Sequence, residues 1–367
     1  MKLFANILIC EEFANGGAVM YIPAEKKEPS MKIKVIVLGF GFMGQTHCGN
    51  LLKMPDVQVA GIVDPAEPLE RLRTVKGNLQ TVPPDADAVR AIPHFTDPEE
   101  ALTCVSPDAA VIALPTKLHH DAVIRCLEAG LHVFVEKPFA VSLRECDRMV
   151  RTAGNVNRQL AVGYVVRWMK EYRFLKQTVL SARLGKLKYL KMTRITGIPE
   201  WGNWNDPEFI RASGGSLFDL VSHDVDFVRS CLGEPERIES VRDLGGSQFK
   251  MISSVLRFNG ADAVVEGGFV TPPGYPFGRS YAAYFENGTL ISPEAGKVSE
   301  YRKDGTAEYD FLPDDPYFSE MEDFIRAVRT GDPSRICTGE DARGTILCCT
   351  RIADEMNYPL PETKERN

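Results

Sequence analysis

Apolar and polar positions follow two different periods along this chain, and the first pattern begins at residue 32. Continuous apolar runs, typical of strands buried on both faces, lie at 32–38, 57–63, 92–95, 109–113 and 132–135. Helical periodicity separates them at 43–53, 69–75 and 119–129, and Asp97 before Pro98 marks a further helix start. Short links between strands and helices favour a doubly wound parallel sheet, so we predict an α/β Rossmann domain over residues 31–155.

The second half of the chain is typical of a different sheet. Longer alternating runs, expected for strands with one buried face, lie at 187–195, 237–243, 249–258, 263–270 and 280–285. Asn259-Gly260 and Asn287-Gly288 are turn signals of β-hairpins. Helices are predicted at 217–232, 317–329 and 340–356. We therefore predict an α+β domain over residues 156–367 with an open, mostly antiparallel sheet, whose last helices could pack back on the first domain.

Composition excludes several classes of partner. The chain of 367 residues has a net charge of −7 and no lysine- or arginine-rich run, so nucleic acid is not expected to bind. No apolar run reaches the length of a membrane span. Nine cysteines without a C-x-x-C pair indicate reduced, buried thiols and a cytoplasmic location. No His, Cys, Asp or Glu cluster has metal-ligand spacing, so we expect no metal site.

Residues 1–30 precede the first predicted strand. The short apolar run at 3–10 resembles a signal peptide, but Glu11 and Glu12 end it and no small-residue cleavage site follows. Export is therefore disfavoured. We treat the segment as an N-terminal extension, and whether it is natural or reflects the choice of start codon stays open.

A glycine-rich turn joins the first strand to the first helix, with the sequence Gly39-Phe40-Gly41-Phe42-Met43-Gly44. This spacing lets the backbone approach a pyrophosphate, and the helix N-terminus adds free N–H groups and a positive dipole end. Asp64, at the end of the second strand, is placed to bind the ribose hydroxyls of NAD. NADP stays an alternative, because Arg71 or Arg73 could accept a 2′-phosphate.

Two further motifs point to acid–base chemistry. Glu136-Lys137-Pro138 follows a strand at the sheet edge where ligands bind, and a lysine there can stabilise a developing alkoxide. Asp219 and His223 are four residues apart, so on a helix they share a face, and the carboxylate could orient the imidazole. Alone, each motif is also typical of a surface lysine or a structural histidine. No role is given to His47, His94, His120 or His132.

Together these motifs resemble the glucose–fructose oxidoreductase, inositol dehydrogenase and rhizopine-catabolism (Gfo/Idh/MocA) family, from about residue 32 to the C-terminus. The segments 114–119, 162–168 and 317–320 add to the resemblance. The resemblance implies that Lys137 contacts substrate and nicotinamide, and that His223 is the catalytic base or acid, oriented by Asp219. It also implies positions lining the cofactor or inner substrate site: Pro115, Thr116 (asparagine in the family pattern), His119, Glu136 and Arg167.

The predicted activity is hydride transfer between NAD(P) and a hydroxyl-bearing carbon of a sugar, inositol or related polyol. Trp201, Trp204 and Tyr164 are candidates for a substrate wall, although the two tryptophans could equally be packing. The resemblance also implies a homodimer or homotetramer formed through the C-terminal sheet. Two alternatives stay open: a glycosidase assisted by tightly bound NAD, and a cofactor-sensing regulator without turnover. The presence of Lys137, Asp219 and His223 disfavours the regulator.

Overall fold

The structure, a computed structural model, describes residues 31–75, 82–197, 206–243, 251–272 and 275–358. Its first half contains a six-stranded parallel sheet in the order β3-β2-β1-β4-β5-β6. The strands are β1 (Ile33–Leu38), β2 (Val57–Val63), β3 (His94–Phe95), β4 (Ala109–Ile112), β5 (His132–Glu136) and β6 (Leu160–Gly163). The helices are α1 (Phe42–Leu52), α2 (Pro68–Thr74), α3 (Ala86–Arg90), α4 (Pro98–Val105), α5 (His119–Glu128) and α6 (Leu143–Asn155).

Successive residues of the central strand β1 belong to two different buried clusters. Val35 and Val37 lie in one cluster, whereas Ile36 and Leu38 lie in the other. Because side chains alternate across a strand, both faces of this sheet are covered. The continuous apolar run in the sequence follows from this double burial, and the predicted parallel Rossmann sheet is confirmed.

The second half contains an eight-stranded sheet in the order β14-β13-β12-β11-β7-β10-β9-β8. Its strands are β7 (Leu187–Gly197), β8 (Arg237–Asp243), β9 (Ile252–Phe258), β10 (Ala261–Thr271), β11 (Gly278–Phe285), β12 (Thr289–Ser292), β13 (Lys297–Arg302) and β14 (Gly305–Asp310). Every described pair is antiparallel except β7 with β10, which is parallel. The mostly antiparallel second sheet is therefore also confirmed. Short or polar strands, such as β12 to β14, escaped the sequence prediction because they carry few apolar residues.

The described residues after β6 also form five α-helices. They are α7 (Lys170–Ser181), α8 (Pro207–Ala212), α9 (Ser222–Leu232), α10 (Pro316–Thr330) and α11 (Gly339–Met356). Helix α10 contacts α1, and its Met321 and Phe324 join the buried cluster on that face of the first sheet. Helix α11 begins with a capping box formed by Thr338 and Asp341, and packs against α6 and α9. The last helices thus contact the parallel-sheet half.

The helix predicted over 217–232 is divided in two. A π-helical turn spans Leu217–Val221, and α9 begins at Ser222. Such turns occur frequently at functional sites. Asp219 lies within the π-helical turn and His223 lies in the first turn of α9.

The described cysteines are free thiols, and most are buried. Burial raises the pKa of Cys48 and of Cys126 to about 12, so both thiols stay protonated and act as small apolar side chains. Among the described residues, no group of three or more His, Cys, Asp or Glu side chains could hold a metal ion. No helix in the described ranges is long and apolar enough to cross a membrane.

Candidate active site

The glycine turn after β1 contains two glycines that the fold requires and one that it does not. A Cβ on Gly39, whose φ is +86°, would lie 2.6 Å from the carbonyl oxygen of Ala113, and one on Gly44 would lie 2.0 Å from that of Gly39. A Cβ on Gly41 would meet no atom within 4 Å. Gly41 therefore leaves open space in front of the backbone at the start of α1. A pyrophosphate could approach the backbone there, so the turn fits a dinucleotide.

Asp64, at the end of β2, is buried and braces this turn. One carboxylate oxygen accepts a hydrogen bond from the Phe40 N–H at 2.8 Å, and the other accepts from Ala66 N–H at 2.9 Å and Arg71 Nε at 3.0 Å. Asp64, the residue predicted to bind the ribose, is thus already paired with Arg71, which is one of the two arginines considered as partners for a 2′-phosphate. A ribose hydroxyl that bound Asp64 would compete with that guanidinium.

His119, Pro115 and Thr116 lie beyond the end of β4. The ring nitrogens of His119 are 2.8 Å from the Leu114 carbonyl oxygen and 3.0 Å from that of Pro138. Burial lowers the pKa of His119. The imidazole therefore joins the loops after β4 and β5, and supports the site without lining the cavity described next.

A cavity of about 740 Å³ is lined by residues from both halves of the chain. Phe42 and Met43 of the glycine turn lie on its wall, together with the predicted residues Glu136, Lys137, Asp219 and His223. Its volume is in the range usual for small-molecule sites. Motifs more than eighty residues apart in sequence are thus brought to one cavity.

Lys137 and Asp219 form a direct ion pair in this cavity. Lys137 Nζ donates to Asp219 Oδ1 at 3.1 Å and to its backbone oxygen at 2.9 Å. Asp219 makes no hydrogen bond with His223 in the structure, although the sequence predicted contact between them. The charged ammonium is a stronger partner for a carboxylate than a neutral imidazole is. Asp219 therefore positions the lysine.

His223 lies on the cavity wall, and no described residue hydrogen-bonds to either of its ring nitrogens. Burial lowers its pKa well below the ordinary value of 6.5, and the nearby cations Lys137, Arg194 and Arg279 lower it further. The imidazole is consequently neutral near pH 7 and able to accept a proton. Its ring packs edge-on against Tyr164 at 6.0 Å between centroids.

Glu136 is held by a histidine that sequence reasoning left without a role. His47 Nε2 lies 2.6 Å from Glu136 Oε1, and the other carboxylate oxygen accepts the Lys137 N–H at 3.1 Å. His47 is fully buried and packs edge-on against Phe134 and Tyr317. His47 thus fixes the backbone that carries Lys137. Nothing in the spacing of the two residues, 89 apart, could have revealed the pair.

Two arginines from the second sheet also line the cavity and were not predicted. Arg194 on β7 and Arg279 on β11 are directly opposed in the antiparallel ladder. Arg194 binds the carboxylate of Asp224 through Nε and Nη2, and Arg279 donates from Nη2 to Glu171 at 3.2 Å. The rings of Phe269 and Phe277 complete this wall.

Arg167 does not line the cavity, contrary to the expectation from the family pattern. Its guanidinium donates to both oxygens of the buried Asp226, at 2.7 and 2.8 Å, and to Asp341 at 3.2 Å. A buried carboxylate requires a charged partner, and Arg167 supplies it. Tyr164 is also buried and does not line the cavity. Its ring contacts the imidazole of His223 edge-on. Trp201 and Trp204 lie outside the described residues.

Two family models match the chain. Residues 33–164 match an oxidoreductase family with an NAD-binding Rossmann fold, and residues 172–291 match the GFO/IDH/MocA C-terminal domain. The chain belongs to the Gfo/Idh/MocA family. The resemblance noted from its motifs is thereby confirmed, and this Gfo/Idh/MocA protein is an NAD(P)-dependent oxidoreductase.

Named relatives support this assignment. The Gfo/Idh/MocA chain is 28% identical to a myo-inositol 2-dehydrogenase of Thermotoga maritima, over 86% of this chain and 93% of the relative. It is 25% identical to the scyllo-inositol 2-dehydrogenase (NADP(+)) IolW of Bacillus subtilis, over 91% and 89%. Its fold matches the UDP-N-acetylglucosamine 3-dehydrogenase GnnA of Acidithiobacillus ferrooxidans with a TM-score of 0.70 and 21% identity, covering 88% of this chain and 97% of that structure.

Proposed function

We propose that this enzyme transfers a hydride between NAD(P) and a hydroxyl-bearing carbon of a sugar, inositol or related polyol. The observation that carries the proposal is the single cavity shared by the glycine turn and the side chains of Lys137, Asp219 and His223. A dinucleotide with its pyrophosphate at the glycine turn could extend its nicotinamide ring toward the Lys137–Asp219 ion pair and the neutral imidazole of His223. The names of the inositol dehydrogenase relatives agree with a polyhydroxy substrate.

The cofactor in this proposal is NAD, with NADP as the alternative. The bound nicotinamide would supply the two-electron acceptor or donor of the reaction. Gly41 and the N-terminus of α1 would hold the pyrophosphate, and Asp64 would meet the adenosine ribose. For NADP, Arg71 would leave Asp64 and pair with the 2′-phosphate, since its side chain is partly exposed at the rim of the turn.

Each of three side chains has a separate task at the reacting hydroxyl. The neutral His223 takes the hydroxyl proton during oxidation and returns it during reduction. The Lys137 ammonium donates a hydrogen bond to the same oxygen and stabilises negative charge that develops there. Asp219 keeps the ammonium in place through its contact at 3.1 Å.

Two alanine variants test this assignment. His223→Ala and Lys137→Ala should each lower turnover of a polyol or sugar by about 10²–10⁴-fold, because general acid–base catalysis is removed. Dinucleotide binding should survive in both. Matched controls are His120→Ala on α5 and Lys34→Ala on β1, which do not line the cavity. Near-normal turnover in both test variants would refute the mechanism, and cleavage of a glycosidic bond would indicate an NAD-assisted glycosidase instead.

We also propose a homodimer or homotetramer formed through the outer face of the second sheet. Tyr284 on β11 and Tyr301 on β13 are exposed on that face, and exposed aromatic side chains are typical of interfaces. The mass of the protein in solution, measured by light scattering, tests this: a monomer would contradict it.

A further inference from the structure

The opposed arginines at the end of the cavity pose an electrostatic problem. Arg194 and Arg279 are register partners on β7 and β11, and both side chains point to the inner face of the sheet, where they line the cavity beside His223. Like charges directly opposite each other in a ladder are destabilising. Each arginine therefore requires a neighbouring carboxylate, and the protein provides stronger compensation for Arg194 than for Arg279.

Arg194 is fully compensated by the protein. Its Nε and Nη2 both bind the Asp224 carboxylate, with the shortest distance 2.7 Å, and both side chains are almost completely buried. This is the two-point geometry in which guanidinium and carboxylate fit best. Arg194 thus has little remaining capacity to bind another anion.

Arg279 is compensated only in part. Within the described part of the chain, its guanidinium donates one hydrogen bond, from Nη2 to Glu171 at 3.2 Å, and its buried Nε has no hydrogen-bond partner there. A buried donor without an acceptor is unfavourable unless a ligand supplies the acceptor. Arg279 therefore presents a cation with unused donors on the wall of a cavity that also contains the proton-transfer residues.

The neighbouring surface restricts the ligand further. Phe269 and Phe277 line the same wall, and apolar faces of this kind suit the C–H surface of a polyhydroxy chain or ring. A planar carboxylate matches the planar donors of a guanidinium and neutralises its positive charge, whereas a hydroxyl group would accept a hydrogen bond without neutralising that charge.

We propose that the substrate is a polyhydroxy acid whose carboxylate binds Arg279 while its reacting hydroxyl carbon lies at His223 and Lys137. This inference rests on the proposed function. In the oxidation, the CH–OH carbon loses a hydride to NAD(P)⁺ and the hydroxyl proton passes to His223, giving a ketone or aldehyde. The carboxylate is unchanged, so the step balances without any further reactant.

The test compares acids with their neutral counterparts. The ratio of kcat/KM for D-gluconate over D-sorbitol, and for D-glucuronate over D-glucose, should favour the acid in the wild type with NAD(P)⁺. In Arg279→Gln this ratio should fall by about 100-fold, because a site built for a charged group discriminates strongly against its loss. Arg144→Gln, at an exposed position of α6 outside the cavity lining, is the matched control and should leave the ratio unchanged.

A second variant protects the test from misfolding. Arg279→Gln leaves Glu171 buried without its partner, whereas the double variant Glu171→Gln/Arg279→Gln removes both charges together. The double variant should show the same loss of preference for acids. If either folded variant keeps the wild-type ratio, the inference is wrong.

Failure of the inference is distinguishable from failure of the proposed function. Turnover of sorbitol or inositol equal to that of the acids, or preference for a sugar phosphate, would overturn the carboxylate assignment and leave the function intact. No turnover of any compound would overturn the function. Calorimetric titration of the NAD-bound protein with gluconate and glucuronate would then decide the inference: binding lost in Arg279→Gln supports it, and absence of binding overturns it.

Discussion

A methyl group at Gly41 is expected to weaken dinucleotide binding without weakening the fold. The backbone there has φ −73° and ψ −165°, which alanine adopts readily, and the new Cβ would meet no protein atom within 4 Å. Gly41→Ala should leave the free energy of unfolding unchanged or raise it by about 0.4–1 kcal/mol, because alanine lowers the conformational entropy of the unfolded chain. The methyl group would occupy the space of the pyrophosphate, and overpacking of about 1–3 kcal/mol corresponds to a Kd raised about 5- to 150-fold.

Gly44→Ala is the matched comparison, because there the protein itself fills the space. The added Cβ would lie 2.0 Å from the Gly39 carbonyl oxygen, so the variant should lose about 3 kcal/mol or more of stability. Thermal melting without cofactor and fluorescence titration with NADH and NADPH separate the two effects. A wild-type Kd in Gly41→Ala would refute the turn as the pyrophosphate site. A wild-type melting temperature in Gly44→Ala would refute the packing argument.

Two further predictions concern buried titratable groups. Burial, and then the nearby Glu136 and Asp226, raise the pKa of Glu320 well above 4.5. The folded state therefore favours the protonated carboxyl, and Glu320 lowers the stability of the wild type as pH rises above 4.5. Glu320→Gln should stabilise the fold by about 1–3 kcal/mol near neutral pH, increasingly so at higher pH, whereas Glu322→Gln on the exposed side of α10 should not. Because the pKa of His223 is lowered, oxidation should hold its rate as pH falls through 6.5 and decline only at lower pH.

Each of these predictions has a clear contradiction. Melting curves across pH that show no gain for Glu320→Gln would mean that its carboxyl is not held neutral in the fold. A kcat/KM profile that already declines at or above pH 6.5 would mean that His223 is not the group that takes the proton.

Local patterns were sufficient to predict both sheets and most helices. The continuous apolar run of β1 reflects burial on two faces, and the alternation in β9 reflects burial on one. Both signals depend on near neighbours in sequence. The π-helical turn at Leu217–Val221 carries no such signal, and a regular helix was predicted in its place.

Contacts between distant residues could not be predicted in this way. Arg167 was expected near the cofactor, but Asp226 and Asp341, 59 and 174 residues away, bind its guanidinium. The neighbourhood of Arg194 and Arg279 depends on the register of β7 with β11, which the sequence does not specify. The pairing of His47 with Glu136 depends on the packing of α1 against the first sheet. Such pairs appear only once the whole chain is folded.

Isotope transfer tests the central claim most directly. A panel of polyols and polyhydroxy acids carrying deuterium on carbon would be incubated with enzyme and NAD(P)⁺, and the cofactor product analysed by mass spectrometry. Hydride transfer predicts deuterium in the nicotinamide ring in step with formation of the carbonyl product, with both lost in His223→Ala. Conversion of the substrate without deuterium in the cofactor would contradict the proposed reaction.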